Sequence, residues 1–365
     1  MHHRRARLTA MTRTYTIAGA TLFAAAAIGA LLSPLSPTAA APADDLHWRS
    51  VNVESDEQFR GLDAVNADVA WVGGSDGSVF RTTDGGSTWW DVSPKSSDGL
   101  LFRDVEARDA RRAVVLAIGE GEASRIFTTV DGGQSWDRTF INHDPRAFYN
   151  CMDFWGAGRH GLAVSDPVGG KFRIISTSDF GASWQRVPRA GMPPAVDGEF
   201  NFAASGTCLV TAGSTQAWMG SGGGASRIFH TRDRGLTWEV TDSQIPAAPA
   251  GGVFSLDFKS VNRGVAVGGD FTKPRNGTDA SAVSTDGRQW TGGGDLSGYR
   301  SGVAWLLDTN RPILVAVGPT GSDVTYDRGR TWARFSTNNY DAVDCAGDGA
   351  CWASGPEGAV GVLVR

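Results

Sequence analysis

Three arginines, Arg60, Arg103 and Arg300, stand directly after the aromatic residues Phe59, Phe102 and Tyr299. A guanidinium is planar, permanently charged and shaped to hold a carboxylate or phosphate through paired hydrogen bonds. Three of them at one opening would repel each other unless acids or a bound anion lay between. The acids that could serve are Glu199, Asp153, Asp166, Asp270 and Asp341. Two readings follow. Arginine and acid pair internally to build a channel wall, or the arginines hold an anionic ligand or partner. Either reading requires residues far apart in the chain to share one opening.

The elements that could do this are written as a repeat. Thr82-Thr83-Asp84-Gly85-Gly86-Ser87-Thr88-Trp89 returns as Thr129 to Trp136 around Asp131, as Thr177 to Trp184 around Asp179, and as Thr231 to Trp238 around Asp233. Ser284 to Trp290 around Asp286 is one residue short, and Thr325 to Trp332 around Asp327 completes the set. The Trp-to-Trp steps are 47, 48, 54, 52 and 42, the spacing of propeller blades. Asp accepts backbone N–H groups and holds a tight turn. Gly takes backbone angles other residues resist, and Trp opens the next strand and packs beneath the turn.

Each turn closes a block of about four strands, the first running from Phe59 to Val92. Further blocks begin near Phe102, Phe148, Phe200, Phe254 and Tyr299. The stretch Tyr340 to Arg365 lacks a last strand, and His47 to Val53 is a strand without a block. Joining the two predicts an all-β, seven-bladed β-propeller closed by its N-terminal strand, which removes exposed sheet edges. The aromatics that open the innermost strands, Phe59, Phe102, Phe148, Phe200, Phe254, Tyr299 and Tyr340, are expected between blades. Side chains alternate along a strand, so Arg60, Arg103, Tyr149, Asn201, Ser255, Arg300 and Asp341 should ring the central channel. The ligand or partner set is therefore Arg60, Arg103, Tyr149, Asn201, Arg300 and Asp341. Gly220 to Gly224 lacks the strand–turn–helix setting of a dinucleotide fingerprint and reads as a flexible loop.

The repeated turn resembles the Asp-box, or BNR, repeat of sialidase-like propellers. That resemblance implies a structural role for Asp84, Asp131, Asp179, Asp233, Asp286 and Asp327, on the rim away from the functional face. It also offers a glycoside hydrolase, in which the arginines clamp a substrate carboxylate. Tyr149 or Tyr299 with Glu199 would then be the nucleophile pair, and Asp153 or Asp341 the acid. Sialidases, however, follow the first-blade Arg with Ile-Pro, whereas Arg60 precedes Gly61-Leu62, and they have six blades. The stretches 146–155, 165–168, 198–207, 268–271 and 298–301 are similar to exported bacterial BNR-repeat proteins related to photosystem II stability and assembly factors. That likeness implies a binding scaffold, with an unknown protein or an anionic or glycan ligand as partner and no catalytic residue assigned.

Residues 1–41 read as a signal peptide: Arg4, Arg5, Arg7 and Arg13, then the apolar run Ile17 to Leu32, then Thr38 to Ala41. The run is short against the roughly 20 apolar residues of a membrane span, so no stable span is expected after cleavage. Residues 42–365 are expected to form one secreted, monomeric domain. Losing four leader arginines takes the net charge from −5 to −9, which disfavours nucleic acid as a partner. Export permits disulfides. Cys345 and Cys351 flank a short hairpin turn and should pair, while Cys151 and Cys208 either pair or stay as buried thiols. No Cys/His spacing suits a metal, and no cofactor is implied. Asn276-Gly277-Thr278 is a glycosylation sequon.

Overall fold

The computed structural model describes residues 45–156, 158–307 and 311–365. The chain divides by contacts into Met1–Pro42 and Ala43–Arg365. The leader, residues 1–41, lies outside the described residues.

The described chain is almost wholly strand and turn, with a single short helical turn at Gly121–Ala123. The strands assemble into antiparallel units that follow chain order. In the first unit Gly61–Ala64 pairs with Ala70–Gly73, that with Val79–Thr82, and that with Trp90–Asp91. Further units have innermost strands Leu101–Ala107, Phe148–Phe154, Leu209–Ala212, Gly251–Ser260 and Gly302–Trp305. The last sheet takes Ala342–Cys345, Cys351–Ser354 and Ala359–Val364 from the C-terminus. Its outer strand is His47–Asn52, in register from His47 opposite Val364 to Asn52 opposite Ala359.

Every apolar cluster but one small aromatic group is built from two consecutive units. Trp71 and Val79 pack with Phe102 and Val115, for example, and Phe59 and Leu62 with Trp352 and Val360. A sheet covered on both faces needs no polar alternation. That explains why Ala70–Gly73, Gly161–Ser165 and Cys351–Ser354 are buried at every residue. Three fully buried tryptophans also bond across the gap: Trp71 Nε1 donates to Asp109 O at 3.2 Å, Trp218 to Gly287 O at 2.6 Å, and Trp352 to Asn66 O at 3.2 Å.

The repeated turn works by one set of bonds. In the first copy Thr82 Oγ1 donates to Asp84 Oδ1 (2.9 Å), and the Gly86 N–H donates back to Thr82 Oγ1 (3.0 Å). Thr88 donates its N–H to Asp84 Oδ1 (2.9 Å) and its hydroxyl to Oδ2 (2.6 Å). The copies at Asp131, Asp179, Asp233 and Asp327 repeat these bonds. The shortened copy keeps the first hydroxyl, Ser284 Oγ donating to Asp286 Oδ1 (3.2 Å), but lacks the second, and Asp286 accepts the N–H groups of Arg288 and Gln289. These donors stabilise the charged carboxylate and hold Asp131 down at about 2.

All four cysteines are paired. Cys345–Cys351 joins facing residues of one hairpin, and Cys151–Cys208 ties the third unit to the fourth.

Candidate functional site

Each innermost strand runs from one end of the assembly to the other, so its first and last residues face different openings. At the starting end lies a cavity of about 680 Å³ to which every unit contributes. Its polar side holds Gln58, Arg60, Arg103, Asn150, Asp166 and Asp341. Its apolar side is a wall of Phe200, Phe202, Phe254, Phe271 and Tyr299.

Beta-bulges aim three of these side chains. The ladder skips one residue between Phe102 and Asp104, one between Tyr149 and Cys151, and one between Val253 and Ser255. The extra residues are Arg103, Asn150 and Phe254, and all three line the cavity. A bulge bends its strand and re-aims a side chain without ending the sheet.

Of the anticipated ring, Arg60, Arg103, Asn201 and Asp341 reach the cavity. Tyr149, Ser255 and Arg300 do not. In the third and fifth units the residue equivalent to Arg103 is one position off the simple alignment, because the bulge falls at Asn150 and at Phe254. Tyr149 is therefore packed between units against Phe140 (ring centroids 5.1 Å), and burial pushes its phenol up to about 12. Ser255 is buried, and its hydroxyl meets Thr207 and the N–H of Val303. In the sixth unit the chain enters by a loop. Tyr299 takes the cavity side, and Arg300 turns inward to 0% exposure. There its Nε donates to Asp323 Oδ2 at 2.8 Å, with Ser297, Thr320 and the Tyr299 carbonyl as further partners. Arg300 is a structural ion-pair member, not a channel residue.

The glycosidase constellation is not assembled. Glu199 is buried and held by Arg227 through both oxygens, with Ser221 and the Val196 N–H as further donors. Asp153 lies near the far end of its strand, and Asp270 is engaged with Lys273 and Thr272. The buried Tyr149 meets neither Glu199 nor Asp153 in any hydrogen bond among the described residues.

The charge at the mouth is uneven. Arg60 Nη2 lies 3.6 Å from Asp341 Oδ1, and Gln58 Nε2 donates to Asp341 Oδ2 at 2.8 Å. Arg103 donates to the Ala203 carbonyl at 3.0 Å, and among the described residues it forms no ion pair. Burial, and then the neighbouring Arg60, pull its guanidinium down to about 10. Asp166 accepts Asn150 Nδ2 and the Asn201 N–H, each at 2.9 Å, yet burial still raises it to about 6. Two polar atoms here are buried without a partner, Arg60 Nε and Asn201 Oδ1.

Gly220 to Gly224 is not a flexible loop. Gly222–Gly223 is a strand paired with Glu199–Phe200 and with Gly252. A Cβ at Gly222 would overlap the Phe202 ring, and one at Gly223 the Phe200 ring. The glycines are the seat on which the aromatic wall rests. The wall itself was missed as a site, although Phe202 and Phe271 stand in the short stretches that the sequence singles out.

At the opposite end a smaller cavity of about 180 Å³ is lined by Asp63, Asp104, Glu106, Asp153, Asp257 and Asp344, among others. Most of these carboxylates stitch one unit to the next. Asp63 accepts Ala107 N (2.7 Å), Asp104 Met152 N (2.5 Å), Asp153 Thr211 N (2.5 Å), Asp257 Trp305 N (2.7 Å) and Asp344 Ala64 N (2.7 Å). Among the described residues no group of three or more His, Cys, Asp or Glu is placed to hold a metal ion.

Burial raises all six acids, with neighbouring carboxylates adding to it at each but Asp344. Asp153 and Asp257 rise to about 7. The unfolded chain releases these protons near pH 4, so the folded state holds more protons between about pH 4 and 7. Their contribution to stability is whole below that window and is lost as pH rises through about 7. The thermal midpoint should therefore be higher at about pH 5 than at about pH 8. Asp153→Asn with Asp257→Asn should flatten that difference, as read by calorimetry. A midpoint that climbs from pH 5 to pH 8 contradicts the assignment.

An all-β array of four-stranded units stacked in chain order around facing openings is a β-propeller. No family model matches the chain. The photosystem II assembly lipoprotein Ycf48 of Synechococcus sp. strain CC9902 is 24% identical over 162 residues, covering 43% of this chain and 45% of that protein, so the match spans under half of the relative's length. Among solved structures, Ycf48 bound to D1 peptide matches with a TM-score of 0.62 at 18% identity, covering 91% of this chain and 99% of its own. Ycf48 from Cyanidioschyzon merolae matches at 0.59 and 15%, covering 87% and 98%. The WD40 propeller of Doa1 matches at 0.57 and 11%, covering 88% and 97%. The chain is thus a β-propeller similar, at low identity, to Ycf48.

Proposed function

We propose that this chain is an exported, seven-bladed Asp-box propeller that holds an anionic segment of a partner protein at the mouth lined by Arg60 and Arg103. His47–Asn52 closes the ring as the outer strand of the last blade. Residues 42–365 are the working domain, and 1–41 the leader that exports it. Two disulfides favour an oxidising compartment outside the cytoplasm.

The observation that carries the reading is an arginine without a counter-charge. Of the two carboxylates at the mouth, Asp341 is engaged with Arg60 and Gln58 and Asp166 with Asn150 and Asn201, while Arg103 bonds only to the Ala203 carbonyl and forms no ion pair among the described residues. A partner carboxylate would offset the burial and the Arg60 charge that lower Arg103, and would accept the free Nε–H of Arg60. Support comes from Ycf48, similar in fold, which has been solved with a peptide bound. The test is retention of a partner from the host's extracytoplasmic fraction by immobilised protein. Wild type should retain it, and the double variant Arg60→Ala/Arg103→Ala should not. Equal retention by both overturns the reading.

A further inference from the structure

We propose that the mouth is bipartite and selects a peptide segment in which a large apolar side chain lies close to a carboxylate. The proposal rests on the reading of this face as a partner site and adds the partner's chemistry.

The polar half presents Arg60 and Arg103. The other half is a packed aromatic cluster, buried at Phe202, Phe254 and Tyr299, that backs the exposed Phe271. Phe202 and Phe254 stack at 3.7 Å with their planes 12° apart, and Tyr299 meets Phe254 edge-on at 4.7 Å. Phe271 stands edge-on to both stacked rings and is 50% exposed. An exposed aromatic lining a concave face, backed by buried rings, is a usual setting of a binding anchor. The Gly222–Gly223 seat allows the wall to lie back, which leaves room in front of it.

Asn201 joins the halves. It is 3% exposed, and its backbone N–H is bonded to Asp166 on the polar side, while Phe200 and Phe202 flank it in the chain. Its Nδ2 donates to the Gly220 carbonyl at 2.6 Å, which fixes the amide, and its Oδ1 is buried with no partner. A buried acceptor without a donor is costly. A backbone N–H of a chain crossing the mouth satisfies it, with the carboxylate on one side and the apolar side chain on the other. Charge favours this occupant, because Arg103 forms no ion pair among the described residues, whereas both acids of the mouth, Asp341 and Asp166, are already engaged.

The test is fluorescence anisotropy of the whole mature chain with labelled hexapeptides. Phe and Glu are placed adjacent or one to three residues apart, with Ala replacing Phe, or Gln replacing Glu, as controls. The best Phe–Glu peptide should bind about tenfold or more tightly than either control. Phe271→Ala should erase the preference for Phe over Ala and keep that for Glu over Gln, and Phe271→Leu should restore part of it. Arg60→Ala should do the converse. If Ala–Glu peptides bind as well as Phe–Glu ones, the bipartite proposal fails and the partner reading stands. If no acidic peptide binds at millimolar concentration, or neutral glycans bind in their place, both fail.

Discussion

Arg300→Ala is expected to lower the unfolding free energy by about 3–5 kcal/mol, the cost of breaking a buried ion pair by removing one partner. The reason lies with the residue left behind. Asp323 is fully buried, and its Oδ2 accepts Arg300 Nε and the Ser297 N–H. Its Oδ1 already lacks a partner. Without the guanidinium, that carboxylate is a charge in the protein interior, and Ser297 and Thr320 lose a donor as well. Replacing both members, Arg300→Met with Asp323→Leu, should recover much of the loss, because an apolar pair needs no counter-charge. Denaturant midpoints read both variants. If Arg300→Ala changes stability by less than about 0.5 kcal/mol, as a surface residue would, the structural role is wrong and Arg300 returns to the list of ligand contacts.

The second large effect concerns binding. Arg60→Ala/Arg103→Ala should weaken partner affinity by about a hundredfold or more, since each hydrogen bond to a charged group contributes roughly 1.5–3 kcal/mol. Arg60 is part-exposed, and Arg103 gives up one bond to the Ala203 carbonyl. The thermal midpoint should therefore shift little, in contrast to Arg300→Ala. Salt separates charge from packing. Wild-type affinity should fall as ionic strength rises, and the double variant should be nearly insensitive to it. A variant that keeps wild-type affinity and salt dependence places the anion elsewhere. The contrast between neighbouring kinds of arginine is the point: one holds the fold, two face the opening.

Why the sequence separated some of these residues and confused others has a physical cause. The turn around Asp84 and its copies is local, so its residue types and spacing dictate its bonds wherever it occurs, and the strands around it could be placed from sequence. Arg60, Arg103 and Asp341 were legible because alternation holds across Phe59, Phe102 and Tyr340, which are buried. Alternation then misplaced Tyr149, Ser255 and Arg300. The extra residue falls at a different distance from the opening aromatic in each strand, at Arg103, Asn150 and Phe254, nothing in Phe148-Tyr149-Asn150 or Val253-Phe254-Ser255 announces where, and Arg300 lies in a loop. A usable signal was present three residues on. Arg60, Arg103, Asn150, Phe254 and Asp341 are each followed at that distance by Asp63, Glu106, Asp153, Asp257 and Asp344, acids that line the far opening. Aligning on those acids gives the observed register of five units, while the innermost strands of the fourth and sixth carry no acid to align on. The aromatic wall was harder to find, because Phe271 belongs to a loop and Phe202 is positioned by glycines from a different strand.

The most direct measurement places a photo-crosslinking residue at Asn339, which lines the mouth, and separately at Ser87, in the turn at the opposite end of the strands. Both proteins are irradiated in the host's extracytoplasmic fraction. One partner should be captured from Asn339 and none from Ser87, and the Asn339 product should be lost when Arg60 and Arg103 are alanine. Capture of the same partner from Ser87, or an Asn339 product undiminished by the loss of both arginines, would contradict the reading of this mouth as the partner site.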